Sequence, residues 1–197
     1  MRVEDEHFLD HKKQAIQNLD KALQKEKVDS IIIPLLNKIN NLPAYFTTSS
    51  CAGRIVVMQL PEIGDKKNAK FLGRWHRKVT KKEVCNAIDS FNIGQLWFLT
   101  QPPIFHIGCK SISAANIMMK TGINSGFKHS GIRSISGQII VELQSTERMD
   151  MPLSKNGKSM IPDSLISFLI DTANTALQRA QEKLNRLERE IEILKMV

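Results

Sequence analysis

The sequence predicts an α+β fold: a single non-Rossmann domain with a mixed or antiparallel sheet in its middle, helices at both ends and a long C-terminal helix. Three observations predict it. Apolar residues step by three and four through residues 1–40 and again through 163–197. Between them lie short runs of branched and aromatic residues cut by Gly, Pro and Asp. There is also no G-x-G-x-x-G and no Walker loop, which leaves a Rossmann nucleotide site unsupported. Residues 1–153 are expected to form the main domain, and 154–197 a loop plus a helix that packs on it or serves in oligomerisation.

The first helix follows from Phe8, Ala15, Ile16, Leu19, Ala22 and Leu23, with Lys12, Lys13, Gln17, Asp20, Lys21 and Lys25 on its other side. Asp29 can cap a second helix through Ile31, Ile32, Leu35, Leu36 and Ile39, although Pro34 lies late for a first turn. Pro43 ends it. Strands are expected at 44–48, 53–60 and 71–79, the last two separated by the polar loop 61–68. Thr80 followed by Glu83 is a capping box, opening a helix with Val84, Ala87, Ile88 and Phe91 on one side. Strands at 96–100 and 104–109 flank Pro102 and Pro103. Ser111 or Ser113 can cap the next helix, which carries Ala114, Ala115, Ile117, Met118 and Met119 and ends at Gly122. Runs 132–135 and 138–143 read as a hairpin, and 152–162 as a loop. From Asp163 or Ser164 a narrow stripe of Leu169, Ala173, Ala176, Ala180, Leu184, Leu187, Ile191 and Leu194 runs to the C-terminus. Such a stripe fits packing along the domain or a helix–helix seam.

A chain of 197 residues with 42% hydrophobic and 24% charged residues can bury a core without disulfides or a structural metal. Disordered, collagenous and membrane-spanning classes are excluded on that composition. Cys51, Cys85 and Cys109 match no disulfide framework and no C-x-x-C knuckle, so reduced cysteines, no metal and a cytoplasmic location are expected. The departure from average is the charge: 28 Lys and Arg against 20 Asp and Glu, a net of +8. That excess points toward a polyanionic partner.

The charge is concentrated. Lys66, Lys67, Lys70, Arg74, Arg77, Lys78, Lys81 and Lys82 fall in a window without an acid, with Trp75 and His76 in its middle. Cations interleaved with an aromatic and an imidazole suit an RNA backbone and its unstacked bases. A solvated loop with a lysine-protected edge strand is the alternative.

The densest polar segment is Thr47-Thr-Ser-Ser-Cys-Ala-Gly-Arg54, read as a turn after a strand. Short hydroxyl residues and Gly53 let a turn expose N–H groups to an anion, and Arg54 adds a bidentate grip on carboxylate or phosphate. The alternative is a turn whose hydroxyls satisfy only their own backbone. His76, His106 and His129 also fall in suggestive places. His106 would stand on one face of a strand otherwise apolar, where a satisfied buried histidine is the commoner outcome.

The stretch Tyr45-Phe-Thr-Thr-Ser-Ser-Cys-Ala-Gly-Arg-Ile55 resembles the hallmark y-f-T-T-S-S-C-S-G-R-I of the tRNA wybutosine-synthesis methyltransferase family. The resemblance continues through Lys27-Val-Asp29, Ile39-Asn40, Trp75-His76, Phe105-His-Ile-Gly-Cys109, Ala114-Ala115 and Gly126-Phe-Lys-His-Ser-Gly-Ile132. It covers residues 8–153, departs at Ala52, where the family has serine, and leaves the C-terminal helix peripheral. It implies an enzyme of the archaeal type that uses S-adenosyl-L-methionine to methylate N4 of 7-aminocarboxypropyl-demethylwyosine, beside the anticodon of tRNA-Phe. On that basis Ser49, Ser50, Gly53, Arg54, Ser130 and Gly131 are expected to hold the donor, with Arg54 also suited to a tRNA phosphate. His106 or His76 is expected to take the N4 proton. The window 66–82 would carry the anticodon arm, with Trp75 stacking on a base. The competing class is a non-enzymatic basic protein that binds tRNA without a donor.

Overall fold

The computed structural model describes residues 3–65, 67–155 and 158–195. Helix α1 covers Val3–Gln24 and buries Phe8. A 3-10 turn at Ser30–Ile32 leads into α2, Ile33–Asn41. Asp29 stands at the N-cap position of the 3-10 turn rather than of α2 and makes no side-chain cap bond there; its carboxylate accepts the Ala52 N–H at 2.9 Å. Starting at Ile33 places Pro34 in the first turn, where its missing N–H costs no helical bond. The late proline therefore marks the true start of this helix.

The chain continues through β1 (Tyr45–Cys51), β2 (Arg54–Leu60), β3 (Lys70–Trp75), α3 (Lys81–Asp89), β4 (Gln95–Gln101) and β5 (Ile104–Cys109). It ends with α4 (Ile112–Asn124), β6 (Gly131–Ser134), β7 (Ile139–Gln144), β8 (Met149–Pro152), the short β9 (Ser154–Lys155) and β10 (Lys158–Ser159), and α5 (Asp163–Leu194). The capping box of α3 forms in full: Thr80 Oγ1 accepts the Glu83 N–H, and Glu83 accepts the Thr80 N–H. Ser111 rather than Ser113 caps α4, accepting the Ala114 N–H at 3.1 Å. That helix runs past Gly122. Strand β3 stops short of residue 79, β8 forms just ahead of the expected loop 152–162, and the short β9 and β10 fall within it. A four-residue strand ending in proline is legible only as a sheet edge, since Pro152 has no N–H to offer a second neighbour.

The chain folds as two compact units, built from alternating segments. The first is Met1–Ala52, Pro103–Thr146 and Gln181–Val197; the second is Gly53–Pro102 and Glu147–Ala180. The division expected after residue 153 falls inside the last of these segments. In place of the expected sheet stand two four-stranded sheets, each antiparallel throughout, and a small antiparallel β9–β10 pair.

In the first unit the strand order is β1-β5-β7-β6. One face of this sheet sends Tyr45, Phe105, Ile107, Cys109, Val141 and Leu143 into a core completed by Leu35, Leu36 and Ile39 of α2 and Ala115 and Met118 of α4. Leu184, Leu187 and Ile191 of α5 pack in the same core. In the second unit the order is β3-β2-β4-β8. There Ile55, Val57, Leu96 and Phe98 pack with Val84 and Ala87 of α3, and with Leu169, Ile170, Ala173 and Leu177 of α5. The narrow stripe of α5 is thus taken up by the chain's own cores, with Leu177 buried where Ala176 was expected. Among the described residues no helix is long and apolar enough to cross a membrane.

Candidate active site

In the first unit the site is made by strand parity. Tyr45 and Thr47 of β1 lie opposite Cys109 and Ile107, on the core side. The register then shifts between Thr47 and Ser49, so Thr48 is an extra residue. A β-bulge of this kind reverses which side chains face which way. Ser49, rather than Thr48, therefore lies opposite His106, and the Thr48 hydroxyl is occupied by the His106 carbonyl at 3.2 Å. His106 in turn lies opposite Glu142 on β7, and Glu142 opposite Gly131 on β6. Ser49, His106, Glu142 and Gly131 form one row across four strands.

The row is hydrogen-bonded. Ser49 Oγ is 2.7 Å from His106 Nδ1, and His106 Nε2 is 2.9 Å from Glu142 Oε2. A carboxylate accepts rather than donates, so an Nε2–H donated to Glu142 leaves Nδ1 to face the serine hydroxyl. A second register shift, in β6 at Arg133, brings its Nε to 3.2 Å from Glu142 Oε2. Ser49 is exposed, while the side chains of His106 and Glu142 keep 29% and 13% of their surface. The hydroxyl is at the wet end of the row and the carboxylate at its drier end. This is the serine–histidine–acid order in which the acid holds the ring's tautomer and stabilises its cation.

Several expected residues sit elsewhere. The hydroxyl segment is strand rather than turn: residues 45–51 pair with β5 along one side, and on the other side the Thr47 N–H is taken by Asn40. Ser50 lies opposite Phe105, on the face opposite to Ser49, because successive strand residues alternate. The two serines cannot grip one ligand group together. Only Ala52 and Gly53 turn, Gly53 at a φ of 87° that favours glycine. The Thr47 N–H and hydroxyl both reach Asn40. Ser130 donates its hydroxyl to the Phe127 carbonyl, while the place where a Cβ would stand on Gly131 is open space. Burial pushes the Cys109 thiol up to about 12, so it is neutral. Gly53, Arg54 and His76 belong to the second unit, where exposed His76 has Nδ1 3.1 Å from the Gly53 carbonyl. His129 is exposed and takes part through its backbone, donating to Gln144. A cavity of about 520 Å³ in the first unit, beside the start of α4, contains none of the expected site residues.

Glu142 and Arg133 were missed in the sequence reading. A signal existed for the first: Ile139-Ile-Val-Glu-Leu143 has one acid inside an apolar strand. Nothing local marks the bulge that recruits Arg133.

In the second unit, Lys67, Lys70, Arg74, Lys81 and Lys82 are exposed, as expected of a cationic face; Lys66 lies outside the described residues. Arg77 is engaged instead by Glu83 at 2.6 Å. That guanidinium, then the Thr80 backbone and hydroxyl, hold the Glu83 carboxyl down at about 2. Lys78 donates to Gln178 at 2.8 Å. Trp75 is not free to stack: it packs against the second core and over Gly73, where a Cβ would stand 2.0 Å from its ring. The exposed aromatic of this strand is Phe71. The Arg54 and Arg74 guanidinium carbons lie 5.4 and 5.6 Å from its ring centre, and Arg54 Nε also donates to Gln101.

An antiparallel α+β framework with no nucleotide-binding glycine loop, carrying a hydroxyl–imidazole–carboxylate row, defines a methyltransferase class outside the Rossmann type once its likeness to known proteins is added. A solved structure of a Pyrococcus horikoshii protein superposes with a TM-score of 0.91 at 48% identity, covering 95% of this chain and 97% of that one. A hypothetical protein from Aeropyrum pernix does so at 0.75 and 27%, covering 84% and 98%. A family profile described as Methyltransferase TYW3 matches residues 10–193, and the chain belongs to that family. Two relatives are named tRNA(Phe) 7-((3-amino-3-carboxypropyl)-4-demethylwyosine(37)-N(4))-methyltransferase. The one from Pyrococcus furiosus, numbered 1, is 48% identical over 96% of this chain and 97% of its own length. That from Methanocaldococcus jannaschii is 39% identical over 95% and 98%. Membership of an enzyme family decides against the purely RNA-binding alternative.

Proposed function

We propose that this chain methylates N4 of 7-aminocarboxypropyl-demethylwyosine at position 37 of tRNA-Phe, in the cytoplasm, with S-adenosylmethionine as donor. The observation that carries the reading is the Ser49–His106–Glu142 row. When bound, the donor supplies an electrophilic methyl group on a sulfonium and departs as a neutral thioether. The ring nitrogen that accepts the methyl must lose a proton, and the row is built to receive one. Ser49 takes the N4 proton and passes its own to Nδ1 of His106. Glu142, 2.9 Å from Nε2, stabilises the imidazolium that results. Arg133 Nε lies 3.2 Å from Glu142 Oε2, at the same end of the row.

The residues present fit the donor. On the row's face Ser49 and Glu142 offer oxygen acceptors to its hydroxyl and cationic groups, and Gly131 leaves open space beside Glu142. Ser50 and Ser130 drop out of this set, the first by facing the other way and the second because its hydroxyl is engaged by Phe127. Arg54, beside Phe71 and Arg74, joins the RNA set instead, with Lys67, Lys70, Lys81 and Lys82.

The test is transfer of a radiolabelled methyl group from S-adenosylmethionine to tRNA from a strain lacking this step. Label confined to the position-37 base is expected, together with heat of donor binding in calorimetry. Binding of tRNA with neither label nor donor heat would sink the reading.

A further inference from the structure

We propose that Phe71 is a stacking platform for one unpaired RNA base, with Arg54 and Arg74 beside it gripping the flanking phosphates. The inference rests on the tRNA reading above and adds a specific contact to it. Three observations carry it.

The first is that Phe71 is turned outward by the backbone. Gly73 lies opposite Val57 on the core side, and the register then shifts, so that Phe71 lies opposite Met58. The extra residue is Leu72, which packs against the second core. Without this bulge the parity of the strand would send Phe71 inward; with it, the ring shares the outer face with Arg54 and Arg74. The second is that the ring stays 48% exposed although two guanidinium groups lie within cation–π range. A phenylalanine that only needed shelter would be covered. The third is charge: residues 66–82 contain no acid, and Lys67 and Lys70 on the same strand and its approach are exposed.

An exposed π face with planar cations at its rim matches an unstacked nucleobase and the phosphates on either side. A paired base presents no free face to it.

The experiment uses the full chain, unmodified tRNA-Phe and a single-stranded oligonucleotide carrying 2-aminopurine. Phe71→Ala and Phe71→Leu should each weaken tRNA binding by about tenfold, as loss of one stacked base does, without changing the slope of log affinity against log salt. Phe71→Tyr should restore wild-type affinity. Quenching of 2-aminopurine should be present in the wild type and Tyr variants and lost in the other two. Arg74→Ala should weaken binding and flatten the salt slope by roughly 0.7, the contribution of one single-strand phosphate. Because the ring is half exposed, thermal melting of the Leu variant should match wild type. Wild-type affinity and quenching in Phe71→Leu would overturn the platform while leaving the tRNA reading standing. A wild-type chain that binds no tRNA would overturn both.

Discussion

At the scale of single residues, the proposed mechanism turns on His106. It bridges Ser49 and Glu142 in one line, and each neighbour has a separate job. Replacing His106 by Ala removes the proposed proton acceptor and should lower the methyl-transfer rate by roughly 10²–10⁴-fold, the range for a general base. Single-turnover kinetics with saturating tRNA would show it. Glu142→Gln keeps the size of the side chain and removes its charge, so the rate should fall with little change in the KM for tRNA. Ser49→Ala should do the same if the hydroxyl relays the proton; an unchanged rate would take Ser49 out of the relay. The cysteines offer an independent check on burial. Cys109, pushed up to about 12, should resist alkylation of the native protein, while partly exposed Cys51 and Cys85 react first, as peptide mapping by mass spectrometry would reveal.

At the scale of elements, three strands carry a single extra residue, and each bulge re-aims a side chain. Thr48 brings Ser49 to His106, Arg133 itself reaches Glu142, and Leu72 turns Phe71 outward. All three lie on edge strands of their sheets, where one irregular residue disturbs a single ladder rather than two. Packing near the row is close. A Cβ on Gly108 would stand 2.3 Å from the Phe46 ring, itself packed against Phe8. Gly108→Ala should therefore cost about 1–3 kcal/mol in urea unfolding through overpacking. The start of α3 has a definite pH response. Glu83 is depressed to about 2 by Arg77 and Thr80, so its stabilisation is present above the ordinary carboxylate range and is lost as pH falls from about 4.5 through 2. Amide exchange in the first turn of α3 should accelerate in that window, and Arg77→Ala should move the onset to higher pH.

At the scale of the whole molecule, the net charge of +8 resolves into groups with different duties. Arg77 is held by Glu83, whereas Lys67, Lys70, Arg74, Lys81 and Lys82 are open to solvent. Salt titration of tRNA binding should accordingly keep its slope in Arg77→Ala and lose slope in Lys70→Ala or Lys82→Ala. The helices were legible because their evidence is local: the capping box of α3 lies within four residues, and the stripe on α5 repeats along one segment. The motif from Thr47 to Arg54 and the presence of a histidine in an apolar strand were legible too, because chemistry-bearing residues stand out by type. Partners were not. Ser49 and His106 are 57 residues apart and His106 and Glu142 are 36 apart, so only strand pairing joins them. Trp75 packs inward where it was expected to stack, and Phe71 faces out, for a related reason: composition identifies two aromatics on one strand, but pairing and a one-residue bulge decide which faces out. By itself the sequence determined an α+β chain, its helices and its basic window, because periodicity, capping and residue type act over a few neighbouring positions, while the family was legible only through the resemblance of the string from Tyr45 to Ile55. Only the tertiary structure decided that the sheet is two sheets, that Glu142 and Arg133 complete the His106 row, and that Phe71 rather than Trp75 is exposed. Strand register is set by pairing between distant segments, and shifting it by one residue reverses every face beyond.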